Sequence, residues 1–178
     1  KKYTGVNKAG NFEIFQHLLH THGMEGKGQD FMMASGKLQA LCYKHEIERT
    51  LRTPDYAGFQ LLALNDYSGQ GTALVGILDV FFEWRRFCAP TVPLLRTEKF
   101  VYTTNETFHA NIEIAHFGAE PLQAAKVCYR ITDAYGKVYS HGVIGQTDIP
   151  IGNLNHIGQV DFPLKDIPSA MKLNIEVQ

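Results

Sequence analysis

The side chains that could do chemistry fall into three groups, each with a structural role that the same residues could fill. His17, His20 and His22, with Glu25 close behind, have the i, i+3 spacing that brings imidazoles to one face of a helix, where they could share a metal ion. The same residues close a helix, and imidazoles there complement the carbonyl end of its dipole. No Cys and no carboxylate other than Glu25 lies at ligand spacing, so the helix-end reading is preferred and no metal is expected. Gly69-Gln70-Gly71 stands between an apolar run and a helix-like stretch, as in a dinucleotide loop, but the third glycine of G-x-G-x-x-G would fall at Leu74 and no Gly-Lys-Ser/Thr follows. Two glycines instead let the backbone pass close beneath a pocket at a strand's C-terminal end, where parallel α/β folds bind ligands. That puts Asn65, Asp66, Tyr67 and Gln70 on a ligand-facing rim, with a turn or helix-capping role for Asp66 open beside it. Asn105-Glu106-Thr107 holds the Asn-Glu pair of a general acid, but no second carboxylate stands beside it in sequence and a turn between strands is the preferred reading.

The elements that must position these residues change character near residue 90. Phe12, Phe15, Leu18 and Leu19, and then Ala34, Leu38, Leu41, Cys42, His45 and Leu51, recur at helical spacing and predict two amphipathic helices. The second ends before Pro54, which disfavours helical geometry at its neighbour. Phe59 to Leu64 is a short, nearly continuous apolar run and predicts a strand covered on both faces, as in a parallel sheet. Beyond Pro90 and Pro93 the period becomes two: Phe108, Ala110, Ile112 and Ile114, then Val127, Tyr129 and Ile131, alternate with more polar residues. Asp133-Ala134-Tyr135-Gly136 supplies a turn, so 127–144 predicts a hairpin. Further strands are expected at Lys99 to Thr103, Gly158 to Pro163 and Lys172 to Val177. The expectation is an α/β fragment over 1–90 followed by an all-β immunoglobulin-like sandwich over 91–178. Trp84, Arg85 and Arg86 are expected to pack the two halves together.

Composition narrows the classes of partner. The 178 residues carry 17 Lys+Arg against 18 Asp+Glu, a formal net charge of -1, with 10 basic and 9 acidic in 1–90 and 7 and 9 in 91–178. Neither half is a basic surface, so nucleic acid is not expected as a partner. No apolar run approaches the roughly 18–20 residues of a membrane span. Three cysteines, Cys42, Cys88 and Cys128, are odd in number and widely spaced, which argues against a disulfide framework and against a C-x-x-C redox or zinc site. A chain that opens on Lys1 and closes on a strand-like alternation is expected to be a piece of a longer protein.

Several stretches share their wording with a known family. Lys2-Tyr3-Thr4-Gly5, Ala34-Ser35-Gly36-Lys37-Leu38-Gln39-Ala40-Leu41-Cys42-Tyr43-Lys44, Gly58-Phe59-Gln60-Leu61-Leu62, Asp66-Tyr67-Ser68-Gly69-Gln70-Gly71-Thr72-Ala73-Leu74-Val75-Gly76 and Glu83-Trp84-Arg85-Arg86-Phe87-Cys88 resemble glycoside hydrolase family 2 proteins, the β-galactosidase and β-glucuronidase relatives of gut-type bacteria. The resemblance covers most of 1–96 and weakens beyond it. It implies that 1–90 is the last part of a catalytic (β/α)8 barrel, with 59–64 as the eighth strand. Such enzymes are retaining glycosidases with two carboxylates roughly 5–5.5 Å apart, and the resemblance places both on earlier strands, upstream of Lys1. This chain is therefore expected to have no catalytic residue of its own and no cofactor. It would lend the sugar pocket Asp66, at the aspartate that closes the strand, with Asn65, Tyr67 and Gln70 beside it. Leu62 stands where relatives often place a tryptophan against the sugar, which leaves the substrate open. A shorter stretch between Asp79 and Glu83 is the other departure. The implied partner is a carbohydrate bound by the whole protein, in the periplasm or secreted. A barrel end exposes apolar surface, so either docking onto the sandwich or self-association is expected to cover it. The alternative is a non-catalytic carbohydrate-binding or structural module.

Overall fold

The computed structural model describes residues 10–60 and 84–178. Among these residues two helices come first, α1 (Gly10–Thr21) and α2 (Gly28–Leu51), joined by a 3-10 turn at Glu25–Lys27, and after a second 3-10 turn at Trp84–Arg86 six strands follow: β1 (Thr91–Arg96), β2 (Thr107–His116), β3 (Leu122–Asp133), β4 (Val138–Ile149), β5 (Gly152–Pro163) and β6 (Leu173–Val177). They form two three-stranded sheets, in the orders β1-β2-β5 and β4-β3-β6. Every pair is antiparallel. By compactness, residues 10–46, 57–60 and 84–85 form one unit, and Ile47–Tyr56 with Arg86–Gln178 form the other.

The expected architecture is corrected on this point. A barrel end needs parallel strands alternating with helices, and the described residues hold no parallel pair and no strand-helix-strand unit. Phe59 and Gln60, the start of the expected eighth strand, are irregular, and the rest of that run lies outside the described residues. The error has a physical source: a short continuous apolar run carries no periodicity and does not by itself specify a strand. A second correction concerns β1. Lys99 to Thr103 is a loop, and the strand is Thr91–Arg96. Pro93 lies on this strand at the edge of its sheet, a position where a missing N–H costs no ladder bond.

In the helical unit the apolar residues are mostly uncovered. Phe12, Ile14, Phe15 and Leu18 of α1 and Phe31, Met32, Leu38 and Leu41 of α2 are exposed, while Ala40 is buried. Tyr43 holds the Trp84 ring at 5.1 Å between centroids. Arg85 and Arg86 are exposed.

The β unit has a proper core. On β2, Phe108, Ala110, Ile112 and Ile114 all point inward and are buried, because alternate side chains of a strand share one face. Phe108, Ala110, Ile112 and Val160 of one sheet join Ile131 of the other in a single cluster, with Tyr129, Ile175 and Val177 packed against it. At one side β4 and β5 come close together: a Cβ on Gly145 would lie 3.1 Å from the Ile157 carbonyl, and one on Gly158 would lie 3.0 Å from the Ile144 side chain. Glycine suits this close approach, where a side chain would require its neighbours to shift by a few tenths of an ångström. On the outer face of β1 and β2, Val92, Leu94 and Ala115 are covered by Leu51 at the end of α2. Arg52 donates from Nη2 to the Leu95 carbonyl at 2.8 Å, and Asn153 donates to the Thr53 carbonyl at 2.8 Å. The last turn of α2 is thus tied to the sheet by both packing and hydrogen bonds.

Candidate functional site

The residues expected at a sugar rim, Asn65, Asp66, Tyr67 and Gln70, lie outside the described residues. The histidine group lies within them. His17 and His20 are on the last turns of α1, and the His20 imidazole pairs with the Glu25 carboxylate in the connection that follows. Among the described residues no three His, Cys, Asp or Glu side chains converge as a metal site would require.

Glu106 is held by its own loop. Its carboxylate takes a hydrogen bond from the Lys99 ammonium, and its Oε2 accepts from the Thr103 N–H at 2.6 Å and the Thr103 hydroxyl at 3.0 Å. The Glu106 N–H donates back to the Thr103 carbonyl at 3.1 Å, closing a turn. Thr-x-x-Glu is the capping-box pattern, and the glutamate half of it is realised here without a helix behind it. These bonds, Lys99 first and then the two from Thr103, favour the ionised form and lower the carboxyl from 4.5 to about 2. A general acid needs the opposite, a carboxyl that keeps its proton near neutrality. Glu106 is a structural group that straps the 97–106 loop.

A buried polar site that sequence patterning missed surrounds His116, which is 3% exposed. Its Nδ1 lies 2.7 Å from the Thr91 hydroxyl and its Nε2 2.8 Å from the Glu120 carbonyl. Since a carbonyl can only accept, Nε2 carries a proton, and in the neutral ring Nδ1 accepts from the Thr91 hydroxyl. Both ring nitrogens are satisfied, so the imidazole serves to fasten β1, the end of β2 and the 117–121 connection. Gly118 is the signal that could have found it: a Cβ there would sit 2.6 Å from the His116 ring.

A shallow depression of about 390 Å³ lies on the outer face of β4-β3-β6, bordered by Cys128, Arg130, His141, Val143, Glu176 and Gln178. Strand register explains the grouping. Arg130 is opposite His141 on one neighbour and Glu176 on the other, and directly opposed residues share a face. Arg130 donates to Glu176 Oε2 from Nε at 3.2 Å and from Nη2 at 2.6 Å. Both side chains are about half exposed, at 51% and 45%, so solvent screens the pair and it contributes roughly 0–1 kcal/mol. The arrangement offers charged donors and acceptors to a polar ligand. It lacks an aromatic platform: Tyr129 turns its ring to the interior, bonds Ser140 Oγ at 3.0 Å and covers Gly142.

Fold and site together describe a mostly β, wholly antiparallel two-sheet domain preceded by a helical unit. A family model described as a domain of unknown function, DUF8488, matches residues 106–178, from the Glu106 turn through β6. No curated protein matches the chain.

Proposed function

We propose that the chain is a non-catalytic segment of a family 2 type glycoside hydrolase, with the β unit as a rigid accessory body. The wording shared over 1–96 supports the hydrolase association. The observation that carries the non-catalytic part is Glu106: the one carboxylate that sequence singled out as an acid is strapped by Lys99 and Thr103 and held near 2, where it has no proton to give at neutral pH. The contact with the sugar falls to Asp66, with Asn65, Tyr67 and Gln70 beside it, in the whole protein. The experiment is hydrolysis of chromogenic β-galactosides and β-glucuronides by the 178-residue chain and by the longer protein, the latter also carrying Asp66→Ala. The expected result is turnover by the longer protein alone, lost on substitution; turnover by the 178-residue chain refutes the proposal.

A second reading, carbohydrate binding by the β unit itself, is favoured by the polar depression around Arg130, His141 and Glu176. It predicts saturable chemical-shift changes in β3 and β6 amides on adding galactose or glucuronate, abolished by Arg130→Ala.

A further inference from the structure

Strand register fixes two rows of side chains on the outer face of β4-β3-β6. In one, Arg130 stands between His141 and Glu176; in the other, Cys128 stands between Val143 and Gln178. Directly opposed residues share a face. Cys128, on the central strand, is smaller than the arginine, glutamate and glutamine around it, and the hollow it leaves is the depression of about 390 Å³. That volume falls at the lower end of ligand sites, roughly 300–1,000 Å³, and suits an occupant the size of one sugar ring.

The hydrogen-bonding groups left open in the hollow select the chemistry of that occupant. Arg130 spends Nε and one N–H of Nη2 on a single oxygen, Glu176 Oε2. A guanidinium carries two further N–H groups on Nη1 and a second on Nη2, and among the described residues none of these has a partner. They form the end fork of the guanidinium, which matches the two oxygens of a carboxylate in a way that one hydroxyl cannot reproduce. His141, opposite Arg130 on β4, is exposed and supplies a further N–H in either tautomer. Glu176 Oε1 takes no bond from Arg130 and is open to a hydroxyl. Val143, 54% exposed, gives the hollow an apolar side for the C–H face of a sugar ring.

We infer that the depression is a subsite for an acidic sugar, with the carboxylate of a uronic acid on the end fork of Arg130 and a ring hydroxyl on Glu176 Oε1. This rests on the reading that the β unit itself binds carbohydrate, and narrows it from sugars in general to those that carry a carboxylate. The donor balance favours the anion: a guanidinium only donates, and its bonds to a carboxylate are charge-assisted, whereas a neutral hydroxyl does no more for it than the water it displaces. The hollow is shallow and the Arg130–Glu176 pair is about half exposed, so solvent screens the contact and binding is weak, with a dissociation constant on the order of millimolar.

Cys128 makes the test specific to this place. Its thiol borders the depression, so an occupant slows its alkylation by iodoacetamide, while the exposed Cys42 and Cys88 serve as internal controls. The probes are methyl β-D-glucuronide, methyl β-D-glucoside and sodium acetate, added to the 178-residue chain at constant ionic strength, with each cysteine followed by mass spectrometry. The two glycosides differ only in a carboxylate against a hydroxymethyl group on the sixth carbon. The glucuronide is expected to protect Cys128 at concentrations roughly tenfold or more below those the glucoside needs. Arg130→Gln should remove that protection. Glu176→Gln, which releases the rest of the guanidinium, removes a like charge and keeps an oxygen for the hydroxyl, should tighten binding by roughly two- to fivefold. Both substitutions fall on half-exposed side chains and leave the fold in place. Equal protection by the two glycosides overturns the inference and keeps the carbohydrate reading; protection by neither overturns both. Acetate protecting as well as the glucuronide also overturns the inference, because the hollow would then take any carboxylate, and so does weaker binding in Glu176→Gln.

Discussion

Replacing Ile112 by alanine tests whether the two sheets share one core. Ile112 lies on β2, is fully shielded from solvent, and belongs to the same cluster as Ile131 on β3, which is 1% exposed. The substitution deletes three carbons, about 2.4 kcal/mol of transfer free energy at ~0.8 kcal/mol per buried group. A cavity term adds to this, because a core bounded by two hydrogen-bonded sheets relaxes only in part, and the expected total is about 3–4 kcal/mol. Ile131→Ala carries the same expectation. Since the two side chains come from different sheets but one cluster, the double variant should be non-additive, with an interaction energy of roughly 0.5–3 kcal/mol. Urea denaturation followed by far-ultraviolet circular dichroism gives the four stabilities. A loss under about 1 kcal/mol for either single variant, or strict additivity of the pair, refutes the common core and leaves two sheets that fold independently.

Three further outcomes follow from the site geometry. Glu106 should titrate near 2 by carbon-detected NMR, and Lys99→Met should raise it toward 4.5; because the folded carboxyl is depressed, its contribution to stability is present above 4.5 and lost as pH falls from there through about 2. Gly118→Ala should destabilise the β unit by roughly 1–3 kcal/mol, since a Cβ 2.6 Å from the His116 ring must displace it from Thr91 and Glu120; an unchanged urea midpoint contradicts this. Arg130→Ala, by contrast, should change stability by under about 1 kcal/mol because the pair it breaks is half exposed.

What could be seen in the sequence depended on which residues have one face in water. β2 and β3 alternate visibly because Phe108 to Ile114 and Val127 to Ile131 face the core on one side only, and the turn between β3 and β4 was marked by Asp133 and Gly136. Asp133 Oδ1 accepts from the Tyr135 and Lys137 amides there. β5 starts at Gly152, six residues before the expected Gly158, because Asn153, Asn155 and His156 hide a strand whose register shifts twice. β1 was hidden by Pro93, which marks a linker by composition but an edge strand by position. The His116 site depends on partners 25 residues upstream and four downstream, and no local pattern announces a bond across that separation. The helices fell where their period placed them, yet their apolar faces are exposed, since periodicity specifies a face and is silent on what covers it. The rim residues 65–70 came from a strand-end rule together with the family resemblance, and they lie outside the described residues.

The fastening of the last turn of α2 makes that helix thermodynamically two-part. Residues after Glu46 belong with the β unit: Ile47 is buried, Leu51 covers Val92 and Leu94, and Arg52 and Thr53 are bonded to Leu95 and Asn153. The turns before it belong to the other compact unit and carry exposed Phe31, Met32, Leu38 and Leu41, and segments with few buried apolar contacts open at lower free energy than a core. Opening of the front of α2 therefore need not disturb its end. Amide protection should step upward along a single unbroken helix, from local fraying values to the global unfolding free energy of the sheets. The helix thus stores its own cleavage point, and limited proteolysis in its first half should release a fragment that begins inside α2 and retains all six strands.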